Sequence, residues 1–204
     1  SRFTFIYESR LVEYNLIMDI VKVTHSLKVE GEDAIKFIES LISVDPLEKQ
    51  LKTSFLLKPD GKVGHWFVVK RDSDDIYIFQ GENELNNIKK SLDFYKIRTK
   101  CSLEVIDDEK YLALELEDKS FKFTEITNPT LSIDWEKLSL VLELPLPETI
   151  EAGLLPNETK WLDFLVDFNK GCFLGQEQAS RVKFRGRPRR LLKSTADSQE
   201  FLKI

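Results

Sequence analysis

Cysteine is scarce. Cys101 and Cys172 are the only two in 204 residues, too few for a disulfide framework and too far apart for a local CxxC metal or redox motif. Reduced thiols are the expectation, with a single bridge between them as the alternative. Glycine (8) and proline (7) are also few, which excludes collagen-like and low-complexity character, while 14 Phe, 5 Tyr and 3 Trp supply material for a packed core. No run approaches the ~20 apolar residues that a bilayer-crossing helix requires. Residues 1–7 lack a basic stretch followed by an apolar run of signal-peptide length, so a cytoplasmic protein with no membrane partner is expected. The length fits one large domain or two small ones.

A net charge of −5 gives no global electrostatic case for binding nucleic acid or a membrane surface. The charge is nevertheless uneven. Residues 170–193 hold eight basic side chains against one acid, Glu177, a local charge of +7, which leaves −12 on the remainder. Five of the nine arginines fall between Arg181 and Arg190, although lysine outnumbers arginine in the chain as a whole. The planar guanidinium fork suits phosphate and carboxylate oxygens. Arg185, Arg187, Arg189 and Arg190 therefore form a candidate anion patch for RNA, an acidic partner or a ligand, the alternative being a solvated surface.

Along the chain, residues 3–7 read as a strand, residues 11–18 as a short segment, and residues 20–29 as a second strand. Ala34, Ile35, Ile38, Leu41 and Ile42 recur at helical spacing after Gly31-Glu32-Asp33. Residues 54–57 and 63–69 flank Lys58-Pro59-Asp60-Gly61, the clearest hairpin in the sequence. A strand over 76–80, a helix carrying Leu85, Ile88, Leu92 and Tyr95, and two strands over 101–106 and 111–116 follow. This β-α-β-β-β-α-β-β order predicts an α+β fold with antiparallel sheets and ferredoxin-like helix packing. Beyond Phe123 the pattern weakens. Residues 133–144 fit either helix or strand, and residues 161–168 form an apolar segment. Two lobes are expected, residues 1–120 and 121–204.

The chemistry concentrates in Lys170-Gly171-Cys172-Phe173-Leu174-Gly175-Gln176-Glu177, which places two of the eight glycines and one of the two cysteines in eight residues. Glycines so close permit positive φ and let backbone N–H groups approach a ligand or another segment. Cys172, two residues from Lys170, reads either as a thiolate nucleophile or metal ligand or as a small buried hydrophobe. With Arg181, Gly186 and Arg190 beyond it, this octet closely resembles the signature of the YgfZ family of folate-binding proteins, within the superfamily of the glycine cleavage aminomethyltransferase (T-protein). Residues 27–34, the hairpin over 55–63 and residues 92–98 resemble the superfamily's entry to the first helix, its hairpin and its second helix end. The resemblance covers most of residues 10–193 and implies the T-protein/YgfZ-like N-terminal architecture.

The resemblance further implies tetrahydrofolate or a derivative as cofactor and no permanently bound metal. It implies iron–sulfur client or assembly proteins as partners, with an indirect link to tRNA modification. It casts Cys172 as the reactive group or a transient metal ligand, and Lys170 as its activator or an anion contact. Gly171 and Gly175 would shape the loop, with Phe173 between them, and Gln176 and Glu177 would fasten it. Trp66, Tyr95, Trp135 and Trp161 are possible pteridine walls, and Lys170 and Arg181 would hold the folate tail. Three departures stand out. Aminomethyltransferases carry an aspartate pair where this sequence has Gly64-His65-Trp66, which argues against one-carbon transfer and leaves His65 as a substitute acid or base. The family's Arg-x-Gly-x-Pro loop becomes Glu143-Leu144-Pro145-Leu146-Pro147. Longer relatives continue as a small β-barrel domain, whereas 27 residues follow Glu177 here, so that barrel is expected to be absent or reduced. The implied function is folate-dependent support of iron–sulfur cluster assembly or repair. The alternatives are an aminomethyltransferase-like enzyme and an RNA-binding or adaptor module acting through the arginines.

Overall fold

The computed structural model describes residues 19–204; the expected strand over 3–7 and the segment over 11–18 lie outside the described residues. Six strands form one antiparallel sheet: β1 (Ile20–Glu30), β2 (Leu51–Leu57), β3 (Val63–Asp72), β4 (Asp75–Phe79), β5 (Ser102–Leu116) and β6 (Phe121–Ile126). Their spatial order is β2-β3-β4-β1-β5-β6, and every neighbouring pair runs antiparallel. The fold is α+β, as the element order predicts.

Both faces of the sheet are buried, which is why β3 reads as a nearly continuous apolar run. On one face, α1 (Ala34–Glu39) and α2 (Glu82–Tyr95) cover Leu27, Val29, Phe67, Val69, Ile76 and Ile78 through Phe37, Ile38, Leu85, Ile88 and Leu92. On the other, Val21, Val23, Phe55, Trp66 and Leu112 pack against side chains from the second half of the chain, including Leu138, Leu142, Trp161, Leu165 and Leu192. The second half supplies α3 (Trp135–Leu142), α4 (Pro147–Glu151), a 3₁₀ turn (Pro156–Glu158), α5 (Leu162–Leu165), α6 (Gln176–Arg185) and the hairpin β7 (Arg190–Ser194)–β8 (Gln199–Lys203). The larger core thus draws on side chains from Val21 to Leu192. Among the described residues no helix is long and apolar enough to cross a membrane.

Three local outcomes differ from the sequence reading. The expected strands over 101–106 and 111–116 are one 15-residue strand, β5. The polar run between them stays in the ladder because its partner, β1, is itself 11 residues long and pairs along its whole length, absorbing the mismatch by a register shift between Val23 and His25. Sheet membership extends to β6, where Phe121 and Phe123 point inward and Lys122 and Thr124 outward. Residues 135–142 are helical: the Asp134 carboxylate accepts a 2.7 Å hydrogen bond from the Lys137 N–H, satisfying an otherwise orphaned donor, and Glu143 ends the helix at φ 53°.

The hairpin between β2 and β3 follows its turn chemistry. Pro59 pre-sets the turn, Gly61 takes φ 78°, and the Gly61 N–H donates to the Lys58 carbonyl at 2.8 Å.

Candidate functional site

The octet forms a loop that leads into α6. Gly175 caps that helix at φ 77°, and a Cβ there would lie 2.5 Å from the Lys58 carbonyl oxygen and 2.9 Å from Leu57 Cβ. Only glycine fits, both for the left-handed backbone and for the close approach. The loop is tied to α1 by the Leu174 N–H, which donates to the Ser40 carbonyl at 3.0 Å, and before it the Asp167 N–H donates to the Ser43 carbonyl at 2.9 Å. The Phe173 ring is buried and its N–H donates to Gln176 Oε1 at 3.4 Å. Gln176 therefore fastens the loop. The exposed Glu177 bonds instead to Arg181, one turn along α6, at 2.6 Å. A Cβ on Gly171 would meet nothing within 4 Å, and Cys172 beside it is exposed. Of the two roles open to Cys172, the small buried hydrophobe does not match this position.

Lys170 ends elsewhere than on Cys172. Its side chain is 2% exposed, and its ammonium donates to the Glu39 and Ile42 carbonyls, each at 3.0 Å, and pairs with Asp45 at 3.0 Å. It also lies 5.5 Å from the centre of the Phe173 ring. These bonds cap the C-terminal end of α1 and occupy the charge.

The aromatic candidates separate. Trp66 and Trp135 meet with ring centroids 6.1 Å apart on a cavity of about 520 Å³ between β3, α3 and the segment that holds Pro145. The Trp66 indole is buried and donates to the Pro145 carbonyl at 3.1 Å, so the segment Glu143-Leu144-Pro145-Leu146-Pro147 contributes a backbone oxygen. Glu82, Glu84, Asp134, Glu136 and Glu148 line this cavity, and among the described residues no lysine or arginine does. Trp161 is core, its ring 4.8 Å from Phe121. Tyr95 borders a different cavity of about 330 Å³, together with His65; successive residues of a strand point to opposite faces, which sends His65 and Trp66 apart. Lys170, Cys172 and Arg181 line neither cavity. A third hollow of about 670 Å³ has an aromatic wall of Phe121, Phe164, Phe168 and Phe184 and also contains none of the octet.

The arginine run divides too. Arg190 grips the buried Glu158 through two bonds of 2.7 and 3.2 Å and lies 3.7 Å over the Phe201 ring; it is a half-buried strut. Arg185, Arg187 and Arg189 are exposed and remain as surface charge.

The sequence reading missed what lies around His65. Its Nδ1 is 3.2 Å from Glu84 Oε2 and its Nε2 is 2.8 Å from Ser91 Oγ. Glu84 and Ser91 are seven residues apart, two turns of α2, and the available signal was that spacing opposite a strand histidine. The Glu84 carboxyl is held below its ordinary 4.5, first by the hydrogen bond from His65 and, after the opposing effect of burial, by one from Asn87.

No family model matches the chain. Over 57 residues it is 37% identical to the tRNA-modifying protein YgfZ of Blochmanniella pennsylvanica, a match that covers 27% of this chain and 17% of that protein. Over 209 residues it is 22% identical to the mitochondrial iron-sulfur cluster assembly factor IBA57 homolog of Pyricularia oryzae, covering 81% of this chain and 54% of that one. Among solved structures, the glycine cleavage system aminomethyltransferase T of Bartonella henselae is similar over 64% of this chain and 33% of its own, with a TM-score of 0.41 and 12% identity. The chain spans about half the length, or less, of the curated relatives it matches. The glycine-flanked octet and these sequence matches agree in likening the chain to YgfZ and to the IBA57 homolog.

Proposed function

We propose that the protein binds a reduced folate by its pterin head and supports assembly or repair of iron–sulfur clusters in client enzymes, tRNA-modifying enzymes among them. The observation that carries this reading is an aromatic-walled cavity in the range of small-molecule sites together with a sulfur left exposed on a loop that glycine shapes. Trp66 and Trp135 would flank the flat ring. The carboxylates of Glu82, Asp134, Glu136 and Glu148 match the amino and N–H donors of a pterin edge. With no cation lining the cavity, the glutamate tail would run outward to solvent.

Cys172 lines no part of that cavity, so its thiolate faces a partner, not the folate. One thiolate is one of the four protein ligands that a stable cluster usually takes, and the proposed role is that of a transient ligand at a client's surface. The resemblance sets Gly64-His65-Trp66 where the aminomethyltransferases carry an aspartate pair, and no one-carbon transfer is part of the proposal.

Tetrahydrofolate titration, read by quenching of tryptophan fluorescence, tests both halves. Trp135→Ala is expected to remove folate binding and Cys172→Ala to leave it intact. In a cluster-repair assay with an oxidatively damaged client, Cys172→Ala is expected to lose support. Unimpaired repair by folded Cys172→Ala, or tight folate binding by Trp135→Ala, would overturn the corresponding half.

A further inference from the structure

We propose that Ser91, His65 and Glu84 form a nucleophile–base–carboxylate relay that hydrolyses small anionic esters in the cavity of about 330 Å³ at β3 and α2. The inference does not rest on the folate reading, although Glu84 also lines the cavity of about 520 Å³. Its basis is the direction of two hydrogen bonds. A carboxylate held ionised can only accept, so the proton between Glu84 and His65 sits on Nδ1, at 3.2 Å from Oε2. In the neutral ring the other nitrogen is an acceptor, and the Ser91 hydroxyl, 2.8 Å away, is placed to donate to it. The Glu84 carboxylate is fixed in turn by the Asn87 amide, which donates to Oε1 at 2.9 Å. A third group orienting the base that faces the nucleophile is the geometry of an activated serine. A helical serine commonly bonds back to the carbonyl one turn earlier. The hydrogen bond found for Ser91 runs across to β3.

The cavity selects the substrate class. His65 and Ser91 both line it, and so do Lys58 and Lys90, with no acid lining it among the described residues. Leu56, Leu57, Phe94 and Tyr95 supply apolar walls. Two ammonium groups beside a small apolar hollow fit an ester that carries a carboxylate, and the same charges oppose the negative charge of a tetrahedral oxyanion.

In the first step the Ser91 O–H bond breaks, its proton passes to His65 Nε2, and Oγ bonds to the acyl carbon. Collapse breaks the ester C–O bond, and the alcohol leaves with the proton from Nε2. Water then repeats the sequence: it gives a proton to Nε2, its oxygen bonds to the acyl carbon, and the acid departs as Oγ regains the proton. The sum is ester plus water to acid plus alcohol, with no change of oxidation state.

The test treats the full chain with a small fluorophosphonate and locates the adduct by peptide mass spectrometry, alongside turnover of mono-4-nitrophenyl succinate and 4-nitrophenyl acetate. The expected result is one adduct, on Ser91, absent in Ser91→Ala. Labelling should slow about 10²-fold or more in His65→Gln, the scale of general-base assistance, and measurably in Glu84→Gln, with the succinate ester turned over faster than the acetate. No adduct, an adduct on another residue, or an unchanged rate in His65→Gln that retains the wild-type circular dichroism would overturn the relay. Should His65→Gln not fold, an unchanged rate in Glu84→Gln decides against it. Equal turnover of the two esters would overturn the substrate class.

Discussion

Gly61 and Gly175 face each other: a Cβ on Gly175 would sit 3.5 Å from the Cα of Gly61, and a Cβ on Gly61 would sit 2.5 Å from the Cβ of Gln178. The hairpin turn of the first half thereby docks against the start of α6, and the two glycine-bearing motifs most conspicuous in the sequence are a single contact in space. Both glycines have φ near +78°, so each is demanded twice, by backbone conformation and by packing. Cys172 is displayed three residues before this contact.

This contact makes Gly175→Ala costly. The left-handed backbone costs a side chain about 1 to 2 kcal/mol, and a clash with the Lys58 carbonyl adds overpacking of about 1 to 3 kcal/mol. A loss of about 3 kcal/mol is expected in urea unfolding. Gly171→Ala, with open space around it, is expected to change stability by less than about 0.5 kcal/mol.

Lys170→Ala should act on stability first. The substitution strips two carbonyls at the end of α1 of their charged donor and leaves Asp45 unpaired. Hydrogen bonds to charged groups contribute about 1.5 to 3 kcal/mol, so a drop of about 2 kcal/mol is expected. Unchanged thermal unfolding would show that the ammonium is not held inside.

The arginines should divide by role in the same measurement. Arg190→Ala abandons the buried Glu158 carboxylate, a loss of about 3 kcal/mol for a broken buried pair. Arg185→Ala, Arg187→Ala and Arg189→Ala are each expected within about 0.5 kcal/mol of the parent.

Glu84 gives a pH dependence with a definite sign. Its folded value lies below 4.5, so the unfolded chain takes up the proton first as pH falls. The stabilisation is complete above pH 4.5 and is lost as pH drops through the folded value. Acid unfolding curves of Glu84→Gln should therefore lose part of the dependence below pH 4.5 that the parent shows. Coincident acid limbs, offset only in height, would exclude the linkage.

The hairpin over residues 51–72, the long helix carrying Leu85, Ile88 and Leu92, and the octet were all legible because their signals are local: a Pro-Asp-Gly turn, a period of 3.6, a run of rare residues in one place. β6 escaped because its alternation is short and follows an acidic turn. β5 was divided because a polar run can stay in a strand when its partner is long enough to hold it. Trp66 with Trp135, and His65 with Glu84 and Ser91, were not legible, since residues so distant in sequence meet only after the sheet has formed.

By itself the sequence determined the α+β composition, the hairpin, the clustering of arginine and the resemblance carried by the octet, because each depends on neighbouring residues or on periodicity. Only the tertiary structure decided that the Lys170 ammonium caps α1, that Arg190 is paired with a buried carboxylate while Arg187 and Arg189 stay exposed, and that His65 and Trp66 serve different cavities. The physical reason is that a charge or a ring acquires its role from the partners that surround it, and a sheet with both faces buried chooses those partners by which side each residue of a strand faces.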